Sequence, residues 1–124
     1  MDNNELTGKI IGAAIEVHKE LGPGLLESAY QACFELELRR LGLNVKAEVE
    51  LPLNYKGIII PVGYRLDLLV ENNVVVELKT VEEIQPVHKA QLLTYLKLMN
   101  LRYGLLLNFR VKKLHHGICR IVNG

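Results

Sequence analysis

Ionisable residues interrupt two short apolar runs in the middle of the sequence. Glu77 and Lys79 break the run that begins at Val74, and Asp67 stands among leucines in the run before it. Successive side chains of a strand point to opposite faces, so the two-residue spacing puts Glu77 and Lys79 on one face. Two carboxylates and an ammonium group on one sheet surface could bind a cation beside a phosphate and promote its hydrolysis.

The register of the two strands decides whether Asp67 joins this pair. Directly opposite residues of an antiparallel pair share a face, and Asp67 lies opposite Glu77 if the connecting loop has three residues. A two-residue loop would put Asp67 opposite Leu78 instead. We predict the three-residue loop, residues 71–73, with Asn73 in the left-handed region of the backbone.

Neighbouring ionised carboxylates repel each other, so a shared face is costly unless a cation lies between them. Mg²⁺, or Mn²⁺ in its place, prefers oxygen ligands and is commonly held by one or two carboxylates together with substrate phosphate. Lys79 could then activate the attacking water or neutralise charge on the phosphate. The alternative is a solvated hairpin face of a purely structural domain, on which Arg65 and Lys79 would form weak cross-strand ion pairs.

The periodicity of apolar residues predicts the elements that would position these side chains. Residues 6–21 and 25–41 have the spacing of two amphipathic helices, and Gly42 is placed to end the second. The predicted inner face of the second helix comprises Leu25, Ala29, Ala32, Cys33, Leu36 and Leu41. Further along the chain, strand-like runs and a third helix are predicted at residues 45–53, 58–60, 63–70, 74–80, 86–100 (the helix), 103–108 and 117–122. The order α-α-β-β-β-α-β-β predicts an α/β fold, a mixed sheet flanked by helices, with parallel pairing across the third helix.

Length and composition indicate one folded domain over residues 1–124, because 49% of the residues are hydrophobic and only 23% are charged. Charge is uneven: residues 1–50 hold nine acids and five bases, and residues 51–124 hold five acids and ten bases. A basic C-terminal segment includes Arg110, Lys112, Lys113 and Arg120. Such runs are usually solvated surface, although they could touch phosphates. No apolar run approaches the roughly 18 residues of a membrane span and residues 1–5 are polar, so we expect a cytoplasmic protein without a membrane partner.

The third helix carries a polar stripe beside its apolar one. His88, Gln91 and Tyr95 fall on one helix face, where Gln91 could hydrogen-bond a phosphate with Tyr95 in support. The alternative is a boundary between core and solvent. We take Arg65 and these three residues as candidate substrate-binding residues. Glu27 stands in the first turn of the second helix, where the helix dipole favours a carboxylate without any catalytic role.

A further motif connects these observations. Residues 24–30 read G-x-x-E-x-x-Y, and the chain resembles the GxxExxY proteins, a branch of the PD-(D/E)XK nuclease superfamily. The resemblance covers nearly the whole chain and is carried by residues 17–24, 64–67, 77–79, 86–95 and 104–109. The proline of the superfamily's name is replaced by Leu66, at a loosely kept position.

The resemblance implies a restriction-endonuclease-like fold and a role for each site residue. Asp67 and Glu77 would bind the metal with help from the carbonyl of Leu78, and Lys79 would serve the nucleophile. Glu27 would be a further acid at the metal.

Gln91 and Tyr95 resemble the Q-x-x-x-Y helix motif of exonuclease-like branches of the same superfamily. We therefore predict a Mg²⁺- or Mn²⁺-dependent nuclease that hydrolyses phosphodiester bonds in nucleic acid, with DNA as the favoured substrate. A homodimer is a candidate assembly, by analogy with small nucleases that dimerise to cut both strands. The alternative function is a non-catalytic module that binds nucleic acid or a partner and retains the nuclease fold.

Overall fold

The computed structural model describes residues 1–124, with the exception of the side chain of Val62. Along these residues the helices and strands follow the predicted order, and a short 3₁₀-helix, η1, precedes the last strand. The bounds are α1 Asn3–Leu21, α2 Glu27–Arg40, β1 Val45–Tyr55, β2 Ile58–Val70, β3 Val74–Lys79, α3 Pro86–Met99, β4 Tyr103–Asn108, η1 Leu114–Gly117 and β5 Ile118–Val122. The runs predicted at residues 58–60 and 63–70 are therefore parts of one continuous strand.

The described strands form one five-stranded mixed sheet in the order β1-β2-β3-β4-β5. β3 and β4 are parallel, and the other neighbouring pairs are antiparallel. Parallel neighbours need a long crossover connection, which α3 supplies between β3 and β4. The predicted mixed sheet, with its parallel pair across the third helix, is confirmed.

Helices cover both faces of the sheet. Ile10 of α1 and Phe34 of α2 pack with Val76 in one core, whereas Leu92 of α3 packs with Val75 in the other. Because β3 is covered on both sides, its apolar run is continuous rather than alternating. Among the described residues, no helix has both the length and the apolar character needed to cross a membrane.

The inner face of α2 differs from the prediction. Tyr30, Phe34 and Leu38 are fully buried at four-residue spacing, whereas Leu25 and Leu36 are 43% and 50% exposed. Aromatic side chains bury more apolar area than alanine or cysteine, so the face that carries two aromatic rings turns inward. The predicted inner face was therefore wrong for Leu25, Leu36 and Leu41, which are exposed, whereas Cys33 packs against the core as predicted.

The ends of α2 are set by local backbone geometry. The helix begins later than predicted, at Glu27. It ends as predicted, with Gly42 in the left-handed region at φ 79. The Gly42 amide donates to the Arg39 carbonyl at 2.9 Å and the Leu43 amide donates to the Leu38 carbonyl at 3.2 Å, which is the bond pair of a Schellman motif.

The turn between β2 and β3 has the predicted length but a different backbone. Glu71 and Asn72 have φ values of 55 and 51, so the prediction that Asn73 is the left-handed residue was wrong. The Asn73 amide donates to the Val70 carbonyl at 3.0 Å, which makes Glu71 and Asn72 the central residues of the turn. The Glu71 amide and carboxylate both bond the backbone of Asn44, at 2.8 and 2.6 Å, and hold Glu71 in this conformation.

Candidate active site

Asp67 and Glu77 meet where the pairing of β2 with β3 ends. The last paired residues are Leu68 and Val76, so Asp67 and Glu77 occupy the next opposite positions. The Asp67 amide donates to Oε2 of Glu77 at 2.8 Å. The Leu78 amide donates to Oδ2 of Asp67, also at 2.8 Å. The predicted register is confirmed, and each carboxylate accepts a backbone hydrogen bond from the opposite strand.

The side-chain alternation of β2 breaks beside Asp67. A regular strand would put Leu66 and Leu68 on one face. Instead, Leu68 packs in the core under α1 and α2, and Leu66 packs in the core under α3. Opposite Asp67 in β1, Glu48 has a left-handed backbone at φ 53. The break in alternation therefore falls at Asp67, the residue whose carboxylate accepts a hydrogen bond from the Leu78 amide of β3.

Burial and like charge act together on Glu77. Its side chain is only 5% exposed. Desolvation, followed by the charge of Asp67, raises the pKa of Glu77 to about 9. The Asp67 amide and the Lys79 ammonium group lower this pKa but are outweighed. In the metal-free protein the acid pair therefore keeps a proton at neutral pH, and a cation in place of that proton would relieve the repulsion.

Lys79 is the last residue of β3. It lies beside Asn108 in the parallel pair, and its carbonyl accepts a hydrogen bond from the Phe109 amide at 2.9 Å. The positive charge of Lys79 lowers the pKa of both Glu77 and Glu27, so its ammonium group lies within electrostatic reach of both. Among the described residues, none forms an ion pair with Lys79 within 4.0 Å. The ammonium group is therefore available to a substrate.

Glu27 reaches the same site from the helical layer. It is the first residue of α2 and is half-buried. Burial and then the charge of Asp67 raise its pKa, Lys79 lowers it, Glu48 raises it, and the backbone of Thr80 lowers it. These residues belong to β1 (Glu48), to β2 (Asp67) and to the end of β3 (Lys79, followed by Thr80). The structure thus places Glu27 within electrostatic reach of Asp67 and Lys79, beside the pair that Asp67 forms with Glu77.

Tyr30 explains the spacing of the G-x-x-E-x-x-Y motif. It lies one helical turn after Glu27, and its buried ring stacks on Phe109 with centroids 4.6 Å apart. Its hydroxyl donates to the Gly22 carbonyl and accepts from the Leu25 amide at 3.1 Å. Both groups belong to the loop before α2, so Tyr30 fixes the loop that delivers Glu27 to the site.

Glu48 is a neighbour of the site that sequence reasoning missed. Its carboxylate accepts a hydrogen bond from the Gln31 side chain at 3.0 Å and lies 3.9 Å from the Arg65 guanidinium. Its charge also raises the pKa of Glu27. In an alternating strand a glutamate is normally solvent-facing, so the sequence carried no signal for the left-handed backbone that directs Glu48 towards α2.

Asn108 is a second residue to which sequence reasoning assigned no role. Its side chain is 2% exposed and ends the apolar run of β4. Its Oδ1 accepts from the amides of Val81 (3.1 Å) and Arg110 (3.2 Å), and its Nδ2 donates to the Val81 carbonyl at 2.9 Å. These bonds tie together the segments that leave β3 and β4, next to Lys79. An asparagine at the end of an apolar strand was the sequence signal that could have indicated this role.

α3 presents Tyr95 to the acids. Burial raises the pKa of Tyr95, and the charges of Glu77 and Asp67 raise it further. Tyr95 and Gln91 line a cavity of about 230 Å³. Tyr64 borders the same cavity and meets the Tyr95 ring edge to face at 6.2 Å. Of the predicted substrate-binding residues, Tyr95 is the one whose pKa is raised by the charges of the acids.

His88 and Arg65 have other partners. Nδ1 of His88 accepts from the Gln85 amide at 2.9 Å and caps the start of α3. Arg65 is largely exposed, and its guanidinium lies 3.9 Å from the carboxylate of Glu48 at the rim of the site. Their roles in substrate binding stay predictions.

The donor set of the site suits a hard cation. Asp67 and Glu77 offer carboxylate oxygens, and Mg²⁺ is commonly held by one or two carboxylates, with waters and substrate phosphate completing its shell. Among the described residues, no three His, Cys, Asp or Glu side chains stand close enough to enclose a metal. Glu27 is therefore a neighbour of the acid pair rather than the third member of a preformed cluster. An open site with two carboxylates fits Mg²⁺.

Comparison with known proteins agrees with this architecture. A sequence model of the PD-(D/E)XK nuclease superfamily matches residues 4–121. A comparison with curated proteins finds no match. Together with the order of helices and strands, the match to the superfamily confirms the predicted restriction-endonuclease-like fold.

Proposed function

Because the chain belongs to the PD-(D/E)XK nuclease superfamily, we propose that it is a divalent-metal-dependent nuclease that hydrolyses phosphodiester bonds in DNA. One observation carries the proposal. The buried carboxylate of Glu77 and that of Asp67 are each bonded to the backbone of the opposite strand, and the ammonium group of Lys79 is within electrostatic reach. Two such acids side by side repel each other when both are ionised, and a cation bound between them removes this repulsion.

Asp67 and Glu77 would hold Mg²⁺ or Mn²⁺, with the carbonyl of Leu78 as the third protein ligand that the resemblance implies. The cation, when bound, supplies Lewis-acid stabilisation of charge on the phosphate and lowers the pKa of water. Glu77 must give up its proton to become a ligand, because only the ionised carboxylate binds a metal well. Metal affinity should therefore rise with pH.

Lys79 and Glu27 would act on the water and the phosphate. The ammonium group of Lys79 would stabilise the negative charge that builds on the phosphate, or orient the attacking water. Glu27 is half-buried and its pKa is raised by burial and by Asp67, so its carboxylate is a better proton acceptor than that of an ordinary glutamate. In this division of roles Glu27 need not bind the metal.

The substrate strand would run past α3. Tyr95 and Gln91 line the cavity of about 230 Å³ and would bind phosphate or sugar oxygens there. Arg65 and His88 would contact the strand farther out. Hydrogen bonds to phosphate and sugar position a strand without reading its sequence.

The finer affiliation of the chain is also a proposal. We infer that it belongs to the GxxExxY branch, because Tyr30 of that motif clamps the loop that precedes Glu27. The single domain over residues 1–124, the cytoplasmic location and the homodimer stay predictions.

Metal titration and DNA cleavage, measured on the same preparations, test the proposed nuclease. The wild type should bind Mn²⁺ in calorimetry and cleave at least one of single-stranded, duplex and branched DNA. Asp67→Asn should lose metal binding. Lys79→Met should keep metal binding but lose about 100-fold or more in cleavage rate, since it removes only stabilisation of the transition state. Lys97→Met, an exposed lysine of α3, is the matched control and should match the wild type.

Two outcomes would overturn the proposal. Folded wild type that binds Mn²⁺ but cleaves none of these substrates would favour the non-catalytic binding module. Cleavage that persists in Asp67→Asn would remove the acid pair from the chemistry.

A further inference from the structure

A basic cavity borders the loop that leads to Glu27. Its volume is about 360 Å³, and it lies between the end of α1 and the segment that joins β4 to η1. Its ionisable lining residues are His18, Lys19, Lys112, Lys113 and His115. None of the described residues that line it is acidic.

Ion pairs among the described residues do not neutralise this positive charge. The ion pairs among the described residues join Arg39 with Glu35, Arg40 with Glu37 and Arg65 with Glu48, and none of these residues lines the cavity. Lys19 lies in the last turn of α1, where the helix dipole favours a cation. Lys112 and Lys113 come from another segment, are exposed, and have no such explanation. Clustered like charges attract an anion from solution.

One histidine fixes the wall of the cavity. Nε2 of the buried His18 bonds the Val111 carbonyl at 2.7 Å. This bond holds the segment that carries Lys112 and Lys113 against α1. The two lysines are therefore presented from an anchored segment, next to the cavity.

Both walls of the cavity continue into the active site. On one side, Gly22 lines the cavity, and its carbonyl accepts from the Tyr30 hydroxyl. Gly22 precedes Glu27 by five residues, which an extended chain spans in at most about 18 Å. On the other side, the lining residue Lys112 follows Phe109 by three residues. The amide of Phe109 donates to the carbonyl of Lys79. One DNA strand carries a phosphate about every 3.4 Å of helix axis, so phosphates within about five nucleotides of the cut would reach the cavity.

We propose that this cavity binds backbone phosphates of the nucleic-acid substrate, within about five nucleotides of the bond that is cut. The inference rests on the proposed function and assigns a part of its substrate-binding surface. Lys112 and Lys113 pair with the phosphates as point charges, so the contact holds the strand without selecting its sequence. Binding of DNA is accordingly salt-dependent through these two lysines.

The salt dependence of DNA binding tests this subsite. Affinity for a fluorescent 20-base-pair duplex is measured in EDTA, over a range of salt concentrations, for the wild type and for Lys112→Gln/Lys113→Gln. The control is Lys46→Gln/Lys97→Gln, two exposed lysines of β1 and α3 outside the cavity. The slope of log affinity against log salt should become shallower by about 1 to 2 in the cavity variant, because each phosphate contact contributes about 0.9. The slope of the control should equal that of the wild type.

Cleavage measured with Mn²⁺ separates this inference from the proposed nuclease. The cavity variant should lose cleavage of the long duplex at low substrate concentration, while cleavage of a dinucleoside monophosphate, whose only phosphate is the one that is cut, is unchanged. Equal salt slopes in the two double variants would overturn the subsite and leave the nuclease intact. If the slope is shallower in the cavity variant than in the wild type, but the wild type cleaves no DNA, the subsite is supported and the proposed nuclease is overturned.

Discussion

The backbone amide of Asp67 donates a hydrogen bond to the carboxylate of Glu77 at 2.8 Å, at the point where the ladder between their strands ends. The carboxylate of Asp67 accepts in turn from the amide of Leu78, also at 2.8 Å. Backbone geometry therefore holds the two acids together whether or not a cation is bound. Their repulsion, added to burial, raises the pKa of Glu77. The metal-free protein thus gives up stability to keep the site assembled.

Asp67→Asn should stabilise the metal-free protein while it abolishes metal binding. The amide oxygen of asparagine can still accept from Leu78, but the charge that raises the pKa of Glu77 is removed. One pKa unit corresponds to about 1.4 kcal/mol, so we expect a gain on the order of 1 kcal/mol in the free energy of unfolding. Urea unfolding in EDTA measures it. A variant less stable than the wild type would contradict this expectation.

The metal-free protein should lose stability as the pH rises from about 4.5 towards about 9. The Glu77 carboxyl group releases its proton near its ordinary pKa of 4.5 in the unfolded chain, but near 9 in the folded one. Between these values the folded state binds more protons, so the free energy of unfolding declines with pH, by at most about 1.4 kcal/mol per pH unit. Below pH 4.5 both states hold the proton, and Glu77 adds no slope.

Urea unfolding at pH 6 and pH 8 in EDTA checks this pH dependence. Glu77→Gln should flatten the decline, because glutamine does not titrate. Added Mn²⁺ should restore stability to the wild type more strongly at pH 8 than at pH 6, since the proton and the metal compete for one carboxylate. An unchanged decline in Glu77→Gln would assign the pH dependence to another group.

Tyr30→Phe should cost about 1 to 2 kcal/mol of stability and also lower the cleavage rate. The ring can still stack on Phe109, but the Gly22 carbonyl and the Leu25 amide lose their partner. The loop before Glu27 is then less well held, while metal binding, which depends on the acid pair, should be unchanged. Tyr55→Phe, at a tyrosine that is 56% exposed, is the matched control for stability. If Tyr30→Phe cleaves DNA like the wild type, Tyr30 does not position Glu27.

Asn108→Ala should destabilise the protein by about 2 to 3 kcal/mol. The substitution removes three hydrogen bonds and leaves both backbone groups of Val81 without these partners. Because Val81 follows Lys79 closely, cleavage should fall as well, even where the variant is fully folded. Thermal unfolding and cleavage at low temperature measure the two effects separately. Asn4→Ala, at an exposed asparagine of α1, should change neither.

Much of the site could be predicted from short stretches of sequence. The two-residue period put Glu77 and Lys79 on one face, and the three-residue loop put Asp67 opposite Glu77. A third helix between two apolar runs predicted the parallel pair of β3 and β4. Each of these features depends on backbone geometry and connectivity over a few residues, so the sequence by itself determined them.

Other features were decided by tertiary structure alone. α2 turned its aromatic face inward because Tyr30 and Phe34 pack against Phe109, a residue far along the chain. Glu48 took a left-handed backbone in the strand opposite Asp67, a conformation that the alternating pattern of the strand does not predict. Packing also brought Glu27 towards the acid pair from a different layer of the fold. A strand pattern specifies which residues of one element share a face, whereas distances between elements depend on contacts among side chains that are remote in sequence.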